Sequence, residues 1–262
     1  MTSVSNVSIG AKLAGAAAAD ARHGMNEAIA RLSTGKRTMY GGDAAGQAMA
    51  NSIKAKGMSY AVAARNAEDG ISVSQTVESA LMEIGALAQR LREIAIQADN
   101  VAVQSTSDVA ALNAEAAAIM DAMALIQSTT QFNGKALMAT SDTTIAFGVT
   151  DAGGTVTLTV TTIADQSATN AAAGAETNAD AVLADVGEAL GNVAAAMTVL
   201  KARQNVAYSA SANMLAAAAR LEDTDFATSS ANLAKFSILN QSAMAMVAQA
   251  NQAQSAVLAV LQ

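Results

Sequence analysis

The sequence predicts a mainly α-helical protein, in which long antiparallel helices form a rod-like coiled-coil bundle that carries a small β-hairpin. Two observations predict the helices: apolar residues recur at alternating steps of three and four from Leu183 to Leu221, and the chain contains no proline. A third predicts the hairpin, because apolar and polar residues alternate in two short segments between residues 145 and 161. A 3-4 spacing keeps one helix face against a partner, whereas alternation is typical of strands.

The repeat from Leu183 to Leu221 organises the prediction. Its members are Leu183, Val186, Leu190, Val193, Met197, Leu200, Gln204, Ala207, Ser211, Met214, Ala218 and Leu221. At about 1.5 Å per residue, this helix would be roughly 58 Å long. Because so long a helix cannot bury its apolar stripe against a compact globule, we expect other long helices to lie beside it.

The amino-acid composition limits the size of the hydrophobic core and the kinds of binding site that the chain can form. Apolar residues make up 52% of the 262 residues but aromatic residues only 3%, so we expect closely packed helices and a modest core within one subunit. A net charge of −7 argues against nucleic-acid binding, which needs a basic face. Without cysteine there are no disulfides or thiolate metal sites. No uninterrupted run of 18 apolar residues exists, so we expect no membrane-spanning helix.

The first part of the chain is predicted to form a helix followed by a connector. Residues 4–32 form a predicted amphipathic helix with a thin apolar face, which should need a partner because alanine buries little surface. Residues 33–57 are rich in turn-forming residues and are predicted to be a connector, with a short helical piece at 44–54.

Two more helices precede the hairpin. One runs from about Ser59 to Asn100, with a stripe of Val77, Leu81, Ile84, Ala88, Leu91, Ala95 and Ala98. The next begins where Ser105 and Asp108 have the spacing of a capping box. Its stripe is Leu112, Ala116, Ile119, Met123 and Ile126.

The pattern changes near Phe132, and residues 139–179 are predicted to form the hairpin and a surface loop. Apolar residues at 145, 147 and 149 share one strand face, and those at 156, 158 and 160 alternate with threonines. The turn residues Gly153 and Gly154 lie between the two strands. The segment 164–178 is polar and weakly patterned, which predicts a loop.

The final helix, from Phe226 onward, is apolar around much of its circumference. One stripe is Leu233, Phe236, Ala243, Val247, Ala250, Val257 and Leu261, and Leu239, Met244, Met246, Leu258 and Val260 lie off it. Such a helix needs several neighbours, and one subunit does not offer enough of them. The pattern therefore predicts assembly of many copies.

Catalytic chemistry is not expected. The chain has a single histidine, His23, on an alanine-rich helix where an exposed position is the simpler interpretation. The glycines near residue 42 form neither a dinucleotide-binding motif nor a phosphate-binding loop. We therefore predict no catalytic residue, no metal and no cofactor.

Several motifs make the chain resemble bacterial flagellin. The N-terminal motifs are residues 28–35 (AIARLSTG), 43–48 (DAAGQA), 65–72 (RNAEDGIS) and 89–95 (QRLREIA), and residues 132–135 (FNGK) resemble the corner before the hairpin. The C-terminal motifs are residues 223–227 (DTDFA) and 249–252 (QANQ), with a terminal Leu261. Residues 38–42 depart from the family pattern, and residues 139–179 are too short for the large outer domains of many flagellins.

The resemblance implies a structural subunit that assembles into the extracellular helical filament used for swimming. It implies that residues 1–32 and 226–262 pair as an inner coiled coil, residues 33–57 connect, and residues 58–225 form an outer rod domain. The terminal helices would order on assembly. The alternative left open is the hook-filament junction protein, whose terminal helices are similar.

The implied partners are further copies of the chain, the flagellar export apparatus and an export chaperone, the filament cap and the hook-filament junction proteins. Residues 89–94 also resemble the segment that animal toll-like receptors detect. No nucleic-acid partner is expected. The predicted subunit-interface residues are Val4, Val7, Ile9, Leu13, Ile29, Leu32, Arg90, Glu93, Phe226, Leu233, Phe236, Val247, Val257 and Leu261.

Overall fold

The computed structural model describes residues 2–37, 43–163 and 172–261, without the side chains of residues 2–8, 257, 258, 260 and 261. It confirms a mainly α-helical chain with a small hairpin. The helices are α1 (Thr2–Thr34), α2 (Ala44–Ala98), α3 (Thr106–Thr129), α4 (Ala175–Glu222) and α5 (Phe226–Leu261), with a 3-10 turn at Val101–Val103. The strands are β1 (Gln131–Phe132), β2 (Lys135–Ala136), β3 (Thr143–Gly148) and β4 (Thr155–Val160).

The chain divides into two compact units. Unit 1 comprises Met1–Ala55 and Met214–Gln262, and unit 2 comprises Lys56–Asn213. Helices α2 and α4 each contribute residues to both units.

The core of unit 2 follows the predicted helical stripes. All seven predicted stripe positions of α2 from Val77 to Ala98 are buried, as are four of the five in α3. In α4 the predicted repeat positions are buried or half-buried along the whole helix. The 3-4 spacing therefore identified the packed faces, because a helix turns once every 3.6 residues.

The predicted hairpin is confirmed as β3 paired antiparallel with β4. Ile145 lies opposite Leu158, and both side chains are buried in the core of unit 2. Gly153, at φ 82°, supplies the left-handed conformation that the connecting turn needs.

A second, smaller hairpin precedes it. Strands β1 and β2 pair through Phe132 and Lys135, and the two residues between them, Asn133 and Gly134, have φ values of 49° and 77°. An Asn-Gly pair with both residues left-handed is the preferred two-residue hairpin turn. The change of period predicted at Phe132 is thus a turn with its own paired strands.

Two predicted boundaries are wrong. Helix α2 begins at Ala44 and continues through Ser59 without a break, so the short helix at 44–54 and the helix from Ser59 are one element. No proline interrupts this stretch, and the buried Gly57 is tolerated within the helix. The second boundary is the end of the predicted loop at residue 178. Helix α4 already begins at Ala175, after Gly174 at φ 82°. Residues 164–171 of the predicted loop lie outside the described residues.

Helices α3 and α4 are long and apolar enough, by length and composition alone, to cross a membrane. In unit 2 both contribute fully buried side chains, Met123 from α3 and Val182 and Val193 from α4. Core helices of soluble proteins commonly have this composition.

Candidate assembly surface

Helices α1 and α5 pack against each other in unit 1 as an antiparallel pair. Arg22 of α1 donates a hydrogen bond to Asn240 of α5, and Gly24 packs against Phe236. Residue numbers therefore rise along α1 as they fall along α5, which makes the pair antiparallel. The seam positions of α1 are Ala11, Ala14, Ala18, Ala21, Met25, Ala28 and Leu32, and those of α5 are Ser229, Leu233, Phe236, Asn240, Ala243, Val247 and Ala250. Both series alternate steps of three and four, which is the spacing of a coiled coil.

Small side chains dominate this seam. Ala18, Ala21 and Ala28 are each at most 4% exposed, and Ala243 is 8% exposed. Because alanine contributes little apolar area, pairing within one subunit leaves the larger apolar side chains uncovered.

The faces of α1 and α5 outside the seam carry those larger side chains. Leu13 is 71% exposed and Ile238 is 65% exposed. The remaining exposed apolar members of the two helices are Ile9, Ile29, Phe226, Leu239, Met244 and Met246. We call this set, with Leu13 and Ile238, the outward apolar surface. Large apolar side chains that stay exposed on a pair of packed helices mark these helices as a candidate interaction site.

A polar joint connects α4, the start of α5 and the chain after α1. The amide of Thr224 donates to the Gly35 carbonyl, and the amide of Arg37 donates to the Glu222 carbonyl. Lys36 and Asp223 form an antiparallel β-bridge between these segments.

Asp225 begins α5 as its cap. Its carboxylate accepts from the amides of Ala227 and Thr228 and from the Thr228 hydroxyl at 2.7 Å. These hydrogen bonds, led by the one from the Thr228 hydroxyl, hold the pKa of Asp225 below its ordinary value. The joint therefore fixes one end of the α1–α5 pair.

Within unit 2, Arg90 and Glu93 are paired inside the chain. Arg90 donates to the carboxylate of Glu93 at 3.0 Å and to that of Glu115 on α3 at 2.7 Å. The hydrogen bonds from Arg90 to Glu115 and Glu93 raise the pKa of its guanidinium. Arg90 and Glu115 keep about half of their side-chain surface exposed, and Glu93 keeps 68%.

The fourteen predicted interface residues fall into four groups. Ile9, Leu13, Ile29 and Phe226 are exposed on the outward apolar surface. Half-buried positions in the seam with the partner helix are Leu32, Leu233, Phe236 and Val247. Arg90 and Glu93 lie in unit 2. Val4, Val7, Val257 and Leu261 belong to helices α1 and α5, but their side chains lie outside the described residues.

Two clefts of the structure are lined by few titratable side chains. One cleft, of about 760 Å³, lies between β1–β3 and the Asn66–Val73 turns of α2, and Asp69 and Lys135 are its charged members. His23 is exposed on α1. Among the described residues, no three histidine, aspartate or glutamate side chains are placed to hold a metal ion.

Comparison with known proteins decides the family. The model of the bacterial flagellin N-terminal helical region matches residues 8–143, and that of the C-terminal helical region matches residues 169–261. The chain belongs to the bacterial flagellin family. A flagellin of Halalkalibacterium halodurans is 36% identical over 249 residues, covering 90% of this chain and 91% of that protein.

Two other relatives show how the family resemblance is distributed. A flagellin of Bacillus subtilis is 33% identical and covers 88% of this chain and 90% of its own length. A flagellin of Salmonella typhimurium is 42% identical over 129 residues, which are 48% of this chain but 26% of that protein. The chain is therefore similar in extent to the short flagellins, as predicted from the length of residues 139–179.

Membership in the flagellin family makes the chain a structural subunit of the extracellular flagellar filament. The alternative of a hook-filament junction protein is not favoured, because the full-length relatives are flagellins. Sequence reasoning missed Ile238 on the outward apolar surface and Gly24 in the seam. Ile238 follows Phe236 by two residues and so lies off the stripe, whereas a lone helical glycine gives no periodic signal.

Proposed function

We propose that the outward apolar surface of α1 and α5 is the contact through which neighbouring copies build the core of the filament. The observation that carries this is the exposure of large apolar side chains on both helices, led by Leu13 and Ile238. Burying apolar side chains of this size against another copy stabilises the assembly by roughly 1.5–3 kcal/mol each.

Because a flagellar filament is an open helical assembly, we infer that the contact joins unlike surfaces of neighbouring copies. A heterologous contact repeated by a screw operation generates an open helical filament rather than a closed ring. The predicted inner segments 1–32 and 226–262 correspond to this pair of helices. We propose that they, with Val4, Val7, Val257 and Leu261 included, form the intersubunit coiled coil.

The family resemblance supports a further set of partners. We propose that the flagellar export apparatus, an export chaperone, the filament cap and the hook-filament junction proteins act on this chain before and during assembly. The role is structural and needs no catalysis. The half-exposed Arg90 and Glu93 are available both for a subunit contact and for a toll-like receptor.

Substitution of the two most exposed members tests the assembly contact. Leu13→Glu and Ile238→Glu each place an unpaired carboxylate on the surface, and burying it between subunits costs about 3 kcal/mol or more. We expect the critical concentration for polymerisation onto filament seeds to rise by about a hundredfold, a factor that corresponds to this cost.

Gln241→Glu is the matched control, because it adds the same charge to α5 at an exposed position without removing apolar surface. Circular dichroism of each variant checks that the helices are retained. Wild-type critical concentrations for both Leu13→Glu and Ile238→Glu would refute the contact.

A further inference from the structure

Gly24 is buried in the interior of α1, where glycine is normally unfavourable. A glycine within a helix costs about 0.5–1 kcal/mol relative to alanine. The surrounding segment contains buried alanine at Ala18, Ala21 and Ala28, so alanine fits the seam one turn before and one turn after Gly24. Local helix formation therefore does not account for the glycine at 24.

The ring of Phe236 on α5 occupies the place that a side chain at Gly24 would take. A Cβ on Gly24 would lie 2.6 Å from Cζ of Phe236 and 2.7 Å from both Cε atoms. Carbon atoms in contact are normally about 3.5–4.0 Å apart. The tip of the ring thus points directly into a notch left by the missing Cβ.

The neighbouring seam positions of α1 lack such a notch. Ala21 lies about one turn before Gly24, Ala28 lies about one turn after it, and both are buried and carry a Cβ. Moving α5 by one turn along α1 would bring the Phe236 ring against one of these methyl groups. The rest of the α1 side of the seam is mostly alanine, which offers few steric features that oppose sliding.

Among the described residues, the polar contacts between these segments lie near one end of the pair or are exposed. The Thr224–Gly35 hydrogen bond of the joint lies about three helical turns from Gly24. The Arg22–Asn240 hydrogen bond is exposed and long, at 3.4 Å. Exposed polar contacts of this kind contribute little to stability.

From this geometry we propose that Gly24 and Phe236 are a positioning pair that fixes the spacing and axial alignment of α1 on α5. The alignment determines how the apolar side chains of the two helices are arranged for the next copy. This inference rests on the proposed function, because its effect on assembly requires the outward apolar surface to be the intersubunit contact.

A double-mutant cycle tests the pair in full-length chains. Gly24→Ala forces the ring out of its place and should raise the critical concentration for seeded polymerisation about fivefold or more, the range expected for overpacking. Phe236→Ala in the wild-type background should also raise it, because the ring no longer fills the notch. In the Gly24→Ala background, the same Phe236→Ala substitution should lower it part of the way, because alanine leaves room for the added methyl group but the ring is still missing.

Phe236→Ala should thus raise the critical concentration when residue 24 is glycine and lower it when residue 24 is alanine. This reversal is specific to a positioning pair. Two independent packing defects would multiply, so the double variant would then polymerise worse than Gly24→Ala alone. That result would overturn the proposal. Wild-type polymerisation of Gly24→Ala would also overturn it. The adjacent cavity of about 190 Å³, lined by Ala28, Ser229 and Phe236, would then have accepted the displaced ring without consequence.

A direct measure of alignment separates this proposal from the proposed function. The chain contains no cysteine, so Arg22→Cys and Asn240→Cys create a unique pair across the seam. Cross-linking with a short bismaleimide should be efficient with Gly24 and Phe236 present, fall in Gly24→Ala, and recover in part in the double variant, which relieves the clash but lacks the ring.

The cross-linking yield depends on the α1–α5 pair alone. If the yield follows this order while Leu13→Glu and Ile238→Glu polymerise normally, the positioning pair holds and the assembly surface lies elsewhere. If the yield is the same with Gly24 and Phe236 present, in Gly24→Ala and in the double variant, the positioning pair is refuted whatever the polymerisation data show.

Discussion

Glu222 at the end of α4 is buried, and its carboxylate is paired with the ammonium group of Lys36, which follows α1. Lys54 of α2 lies 3.8 Å from the other carboxylate oxygen. The side chain of Glu222 is 7% exposed, whereas both lysines keep about half of their surface in solvent. One buried acid therefore joins three segments of unit 1.

Removing this acid should loosen the joint. We expect Glu222→Gln to cost about 1 kcal/mol, which is modest for a buried charge because the exposed lysines are screened by solvent. Hydrogen exchange at the amides of Thr224 and Arg37 should speed up about fivefold. Glu83→Gln, which removes an exposed carboxylate of α2, is the control and should leave both amides unchanged.

The same pair makes the joint sensitive to acid. The hydrogen bond from Lys36 lowers the pKa of Glu222 below its ordinary value, burial opposes this, and the charges of Lys36 and Lys54 add to it. A lowered folded-state pKa gives stability above the unfolded pKa of about 4.3 that is lost as the pH falls through the folded value. After correction for intrinsic exchange, wild type and Glu222→Gln should therefore differ at pH 7 and converge below pH of about 4. A constant difference across this range would contradict the pairing.

Leu91 should be a strong determinant of the stability of unit 2. Its side chain is fully buried in the core, although its neighbours Arg90 and Arg92 are half exposed. Leu91→Ala should lower the free energy of unfolding by about 2–5 kcal/mol through lost burial and a new cavity. The matched control is Met82→Ala, since Met82 lies on the same helix but is 63% exposed. Denaturant titration of both variants, followed by far-UV circular dichroism, measures the difference, and similar midpoints would contradict the packing.

Tyr60 reports on the tip of the hairpin. Its hydroxyl hydrogen-bonds to the carboxylate of Asp151 in the turn after β3, and this bond, reinforced by the negative charge, raises the pKa of Tyr60 while Arg203 opposes the shift. Asp151→Asn should therefore lower the pKa of Tyr60. Spectrophotometric titration of the phenol in a Tyr40→Phe, Tyr208→Phe background isolates this group among the three tyrosines. An unchanged titration would show that the hairpin tip does not contact α2 in solution.

Much of the fold was predictable because it depends on local periodicity. The stripe of α4 from Leu183 to Leu221 identified the packed face, and the Ser105–Asp108 spacing identified a capping box whose reciprocal hydrogen bonds are present. The alternation around Ile145 and Leu158 likewise located the hairpin. Each of these signals lies within a few residues of the contact that it reports.

The α1 side of the seam and the joint were not predictable in the same way, whereas the predicted stripe of α5 supplies Leu233, Phe236, Ala243, Val247 and Ala250 to the seam. In α1 the apolar stripe that includes Ile9, Leu13 and Ile29 was the visible pattern, yet the face packed on α5 consists of Ala18, Ala21 and its neighbours. Alanine is too common in this chain to mark a face. Pairs such as Gly24 with Phe236 and Lys36 with Glu222 join distant parts of the sequence, so only the tertiary structure reveals them.

The central claim is that α1 and α5 hold the filament together, and removal of unit 1 tests it most directly. Lys56–Asn213 keeps the hydrophobic core of unit 2, so circular dichroism should show a helical fragment. With filament seeds, the full chain should sediment as polymer while the fragment stays in the supernatant at every concentration tested. Filaments formed by the fragment at the wild-type critical concentration would contradict the account.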